Sequence, residues 1–165
     1  MRSLENTNNV NQRALISWHD VSAAVDELIV KAERTLDIFD HSLALQDWGG
    51  KARCEALKTA MLERHVRVRM LLVDTQIVTV ETPRLMQLLR TLSHRMSITA
   101  LPEGVFPVSN FVVADQQHLL FRPNSVQSNG LVHFNNRYKS TGYAQTFEVI
   151  WQQGGYRVFP ETFGL

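Results

Sequence analysis

His133, in the run Leu-Val-His-Phe-Asn-Asn136, is one of six histidines, the side chains that titrate near neutral pH unperturbed, and is a candidate acid or base. Asn135, two residues on, is a neighbouring ligand contact candidate. His41 follows Asp40 at the end of a short apolar run. Ligands of open α/β sheets bind beyond the carboxyl ends of strands, which places Asp40 and His41 for ligand contact; an exposed turn is the alternative. Asp74 and Arg122 end two further apolar runs. A guanidinium at Arg122 can hold an anion bidentately, or it can form an internal ion pair with Asp115 or Asp74. Asn110 and Asp115 lie in a third run, Val108-Ser-Asn-Phe-Val-Val-Ala-Asp115. Neither an HExxH pattern nor paired Cys/His spacing occurs, so no metal and no cofactor are expected. The single cysteine, Cys54, cannot form an internal disulfide, and its place on an amphipathic helix predicts a buried thiol.

These residues need a scaffold, and hydrophobic periodicity supplies one. Val21, Val25, Leu28, Ile29 and Ala32 recur at helical spacing, with Ser17 or Asp20 available as N-cap. Leu36 to Phe39 reads as a short strand, and Cys54, Leu57, Ala60 and Met61 mark a helix after Gly49-Gly50. Val66 to Val73 reads as a strand entering the buried centre of a sheet. Thr82-Pro83 starts another helix, hydroxyl-capped, with a stripe of Leu85, Leu88, Leu89 and Leu92. Met96 to Leu101 is a strand, and Phe111 to Asp115 with His118 to Arg122 forms a hairpin ended by Pro123. Asn124 to Gly130 is a polar loop, expected at the surface and open to movement. A strand over Gly130 to Asn135 and a helix marked by Tyr143, Ala144, Phe147, Ile150 and Trp151 complete the order, with Gly154-Gly155 as the stop. Strands alternating with helices, then a hairpin, predict an α/β sandwich with a mixed sheet.

The 165 residues, 44% apolar and 20% charged, suit one compact domain with a sizeable core. Residues 1–16 are expected to be a flexible N-terminal segment and 17–165 the domain. The polar opening stretch lacks the apolar stretch of a signal peptide or membrane span, so the reading is cytoplasmic and without membrane contact. The net charge of +1 conceals a basic middle. Residues 1–50 carry 4 Lys/Arg against 8 Asp/Glu, residues 51–95 carry 9 against 4, and residues 96–165 carry 4 of each. Lys51, Arg53, Lys58, Arg64, Arg67, Arg69, Arg84, Arg90 and Arg95 form a phosphate-facing patch if the fold gathers them on one surface. Solvated helix faces and strand edges are the plainer expectation, since no interleaved aromatic pattern accompanies them.

The element order, with Asp115 followed by a hairpin and a helix ending Phe147-x-x-x-Trp151, resembles a single phospholipase D-like repeat over roughly Ala24 to Gly154. More narrowly, Leu36 to Phe39, Ala114 to Pro123 and Phe147 to Trp151 resemble the motifs of an uncharacterised bacterial family of degenerate phospholipase D-like domains. The resemblance implies an α/β fold with a mixed sheet flanked by helices on both faces. It also implies that Val108, Asn110 and Asp115 occupy the three fixed positions of a His-x-Lys-x-x-x-x-Asp pattern, of which only the Asp is kept. Active relatives use two such histidines, from tandem repeats or a homodimer, so a symmetric dimer is one expected partner. Association of some members with GNAT-type acetyltransferases implies another. With neither imidazole nor lysine, the expectation is a non-catalytic module in binding, regulation or assembly. A divergent phosphodiesterase or nuclease working through His133 or His41 is the alternative, as is a nucleic-acid or other anion binder using the basic 51–95 segment.

Overall fold

The computed structural model describes residues 11–105 and 109–160. Val108 and residues 1–10 of the expected N-terminal segment lie outside the described residues. Seven strands form one mixed sheet in the order β1-β7-β6-β5-β2-β3-β4, where β1 is Gln12–Leu15, β2 Thr35–Asp40, β3 Arg67–Leu72, β4 Met96–Ala100, β5 Asn110–Ala114, β6 His118–Arg122 and β7 Gly130–His133. The β2-β3-β4 half is parallel, and β2-β5, β5-β6, β6-β7 and β7-β1 pair antiparallel. Within the expected N-terminal segment, residues 12–15 form strand β1, which pairs with β7 through its backbone and buries Leu15 in the core.

Helix α1 (Trp18–Lys31) begins in a capping box, in which the Ser17 hydroxyl accepts the Asp20 N–H and the Asp20 carboxylate accepts the Ser17 N–H. Helices α2 (Lys51–Glu63), α3 (Gln76–Glu81) and α4 (Pro83–Thr91) follow, and α5 (Arg137–Gln153) ends at Gly154 with φ 75°. Thr82 precedes α4, but its hydroxyl donates to the Val78 carbonyl within α3 rather than capping α4. Strand periodicity divides the core. Leu36, Ile38, Val68, Met70, Leu72, Val112 and Leu120 face one way and pack with Val25, Leu28, Leu57 and Leu89 of α1, α2 and α4. Phe39, Leu71, Phe111, Val113 and Leu119 face the other way, under Ala144 and Phe147 of α5. The fold is thus a mixed sheet with helices on both faces. Among the described residues no helix is long and apolar enough to cross a membrane.

The free edge of β4 is covered by the chain after α5, where the Ala100 N–H donates to the Tyr156 carbonyl and the Val158 N–H to that of Ile98. A Cβ at Gly155 would lie 2.1 Å from the Ala100 carbonyl oxygen, so this close approach requires glycine.

Candidate functional site

Asp40, Asn110 and Arg122 converge in one row across three adjacent strands. Asn110 is registered with Arg122, and Phe39 with Phe111, so the next position of β2 brings Asp40 beside Asn110. Alternation turns all three towards the α1 side of the sheet, beyond the carboxyl end of β2. Asp40 Oδ2 accepts from Arg122 Nη2 at 2.9 Å and from Gln46 Nε2 at 3.0 Å. Its Oδ1 accepts the N–H groups of Ser42 and Leu43 at 3.3 and 3.2 Å. The loop supplying these donors has left-handed backbone at Leu43, Leu45 and Asp47, with φ of 65°, 68° and 54°. Such turns aim successive N–H groups inward and favour an anion, and here the resident anion is a carboxylate of the chain itself.

Arg122 is only 1% exposed. Its Nη1 donates to the carbonyls of Asn124, Ser125 and Gln127 at 3.2, 3.3 and 2.8 Å, and its guanidinium lies 5.0 Å from the centre of the Trp18 ring. The polar loop expected at the surface is thereby tied to the arginine through three carbonyls. Asn110 Oδ1 accepts the His41 N–H at 3.1 Å, while the His41 side chain is exposed. The Asp74 N–H donates to the His41 carbonyl at 2.8 Å, and its Oδ1 accepts the Gln76 N–H at the start of α3. The ion pair expected between Arg122 and Asp115 or Asp74 is instead made with Asp40, because Asp115 lies at the opposite end of the sheet. The cluster is a buried, mutually neutralised network that fixes two loops.

Asp115 sits opposite Thr35, where its carboxylate accepts the N–H groups of Glu33, Arg34 and Thr35 at 2.9, 2.7 and 3.0 Å. With Gln116 it also turns the β5-β6 hairpin, at φ 58° and 56°, closed by the Gln117 N–H on the Ala114 carbonyl. Asn135 belongs to this end too. Its Oδ1 accepts from Gln117 Nε2 at 2.8 Å and its N–H donates to His118 Nδ1 at 3.0 Å. His133 is registered with Leu119 and faces the α5 layer, three strand positions and about 10 Å from the Arg122 end. Burial, then the Lys139 charge, holds its imidazole below the ordinary value of 6.5. Of the eight candidate residues, Asp40 and Arg122 join through side chains, and Asn110, next to both in register, bonds the His41 backbone. His41 and Asp74 border them, while Asp115, His133 and Asn135 lie elsewhere.

The basic middle third does not gather on one surface as a whole: Lys51, Lys58, Arg67, Arg84 and Arg90 are exposed on helix faces and a strand end, while three arginines are drawn into the fold. Arg53 is buried, bonded to Asp26 at 2.8 Å and to Ser22 and the Gln46 carbonyl. Arg64 donates to the carbonyls of Ala32 and Ile29 at the end of α1. Arg69 binds both Asp37 oxygens at 2.9 and 3.2 Å and Glu148 at 2.7 Å, and its guanidinium lies 5.1 Å from the ring centres of both Phe147 and Trp151. These arginines are neither a patch nor solvated faces. Gln46, Trp18 and the Asp37–Arg69–Glu148 group escaped the sequence reading, although the alternation of β2 and β3 places Asp37 and Arg69 on one face.

Among the described residues no group of three or more metal-ligating side chains is assembled. No curated protein matches the chain. Among solved structures, the fold is similar to TrmBL2, an archaeal chromatin protein with a novel mode of DNA binding, at a TM-score of 0.67 and 11% identity. That match covers 92% of this chain and 56% of the chromatin protein, so the chain spans little more than half of it. Nuc from Salmonella typhimurium, a phospholipase D family member, is similar at a TM-score of 0.57 and 14% identity, over 83% of this chain and 90% of that one. NucT from Helicobacter pylori is similar at 0.56 and 8%, over 88% and 98%. The likeness to these structures, one of them a phospholipase D family member, is a likeness in fold. At family level the match is direct: a family model described as a domain of unknown function (DUF7931) covers residues 17–158, and the chain belongs to that family.

Proposed function

We propose that the chain is a non-catalytic phospholipase D-like module with a binding, regulatory or assembly role. The observation that carries this reading is the bonding around Asn110, which the resemblance puts at the position of the superfamily's lysine. Its carboxamide oxygen is engaged by the His41 N–H, and the neighbouring cation, Arg122, is buried on Asp40. Attack on phosphorus needs an imidazole in reach and a cation free to offset charge on the equatorial oxygens. Asn110 carries no charge, and at the position the resemblance assigns to the histidine the sequence has Val108. A symmetric dimer and a GNAT-type acetyltransferase are the protein partners this reading would test first.

The test is an assay of the wild-type chain, His133→Ala and His41→Ala on a chromogenic phosphodiester and on labelled single- and double-stranded nucleic acid. No cleavage of any substrate is expected. Cleavage by wild type that disappears in one histidine variant would overturn the reading. Nucleic-acid binding without cleavage is a second reading, favoured by the similarity to a DNA-binding chromatin protein. It predicts affinity that falls steeply with salt. Arg67 is exposed, but Arg64 and Arg69 are engaged within the fold, which weakens the case for the 51–95 segment as the binding surface.

A further inference from the structure

A groove of about 490 Å³ runs between α2 and α4 and shares no residue with the Asp40–Arg122 cluster. Lys51, Cys54, Glu55 and Lys58 line it at i, i+3, i+4 and i+7 of α2; Arg84, Gln87, Leu88 and Thr91 line it at the same spacing on α4. Leu92 completes the lining. The two helices start side by side, since a Cβ on Gly49 would lie 3.0 Å from Thr82 Cγ2. Lys51 and Arg84 therefore flank the same end. Arg84 Nη1 makes one long contact of 3.4 Å with the Gly49 carbonyl. Lys58 lies two turns along α2, about 10 Å from Lys51.

Charge sets this groove apart. The buried arginines 53, 69 and 122 are each paired with a carboxylate. Lys51, Lys58 and Arg84 form no ion pair among the described residues, and Glu55 is the one carboxylate in the lining. Between the cations the wall is Cys54, Leu88 and Leu92, all buried, with Gln87 and Thr91 at the side. The volume falls in the range of small-molecule sites rather than of an extended nucleic-acid track.

From this arrangement we infer that the groove binds a small phosphate-bearing molecule with an apolar body. The phosphate lies between Lys51 and Arg84, where an ammonium and a guanidinium fork can share a dianion. The apolar body lies over Cys54, Leu88 and Leu92. The inference is independent of whether the phospholipase D-like centre is catalytic.

The test is calorimetric titration of the full chain with hexyl phosphate, hexanoate and hexanol. Hexyl phosphate is expected to bind, with the other two at least about tenfold weaker. Arg84→Gln and Lys51→Gln should each weaken it by roughly tenfold, the loss expected for one charge-assisted hydrogen bond. Arg84→Lys should retain part of the affinity, and Arg90→Gln, on α4 outside the groove, should retain all of it. Bound hexyl phosphate should also slow alkylation of Cys54. No binding by the wild type at millimolar ligand, equal affinity in Arg84→Gln and Lys51→Gln, or equal binding of hexanoate would overturn the inference. So would duplex DNA binding that is lost in the same two variants, which would assign the groove to nucleic acid.

Discussion

Asp40 and Arg122 are 82 residues apart in the chain and meet at 2.9 Å, with side chains 6% and 1% exposed. A buried pair of this kind brings two charges out of water, and mutual attraction plus further hydrogen bonds must offset the cost. Both conditions are met, since the Asp40 oxygens take three more donors and Arg122 takes three loop carbonyls. The pair ties the connection after β2 to the loop after β6.

Removing one partner should leave the other charged and buried. Arg122→Met is expected to lower stability by roughly 3–5 kcal/mol. Adding Asp40→Leu should recover about 1–3 kcal/mol relative to the sum of the single changes. Denaturant unfolding of the two single variants and the double variant checks this. Faster proteolysis within residues 124–130 of Arg122→Met should accompany the loss, because Arg122 holds three of that loop's carbonyls.

Asp115 predicts a different pattern. Its carboxylate holds three N–H groups of the α1–β2 connection, so Asp115→Ala should cost roughly 2–3 kcal/mol. Asp115→Asn keeps a residue that tolerates φ of 58° and one acceptor oxygen, and should cost less. Neither change should alter hexyl phosphate affinity. A drop in that affinity at unchanged fold would place Asp115 in a ligand site rather than in the frame.

Elements with a long apolar period were legible in the sequence: the α4 stripe and the β5-β6 hairpin are where periodicity puts them. Helix α3 was not, because Ile77, Val78, Thr79 and Val80 favour strands and six residues give less than two turns. Edge strand β1 was hidden because it is only four residues long and opens on Gln12 and Arg13. The site was legible as residue types at strand ends, Asp40, Asn110 and Arg122 among them, but their meeting depends on register between β2, β5 and β6. Arg53 and Arg69 find their carboxylates 27 and 32 residues away, beyond the reach of local charge counting.

His118 and His133 give the fold an acid sensitivity. Burial holds both below the ordinary value of 6.5; for His118 the next influence is Asp115, which opposes the shift, while Lys139 adds to it for His133. The unfolded chain then binds more protons than the folded one as pH falls through 6.5, so stability is complete above that value and declines below it. His118→Phe and His133→Phe should each flatten the decline in unfolding free energy between neutral pH and about pH 5. For His118→Phe an offset at all pH values should appear as well, since Nδ1 accepts the Asn135 N–H. An unchanged slope in both variants would show that carboxylates, not these imidazoles, set the acid response.

Ser140 is fully buried on α5, and its Oγ finds no hydrogen-bond partner among the described residues. A hydroxyl that gives up water without a replacement costs on the order of 1–3 kcal/mol. Ser140→Ala removes that cost, raises helix propensity and deletes only one oxygen from the packing beside the sheet. The substitution should therefore raise Tm, by several degrees for a domain of this size. A lowered Tm would mean that the hydroxyl is satisfied in solution, by an ordered water beneath α5 or by a ligand seated there, and high-resolution density at Oγ would separate the two.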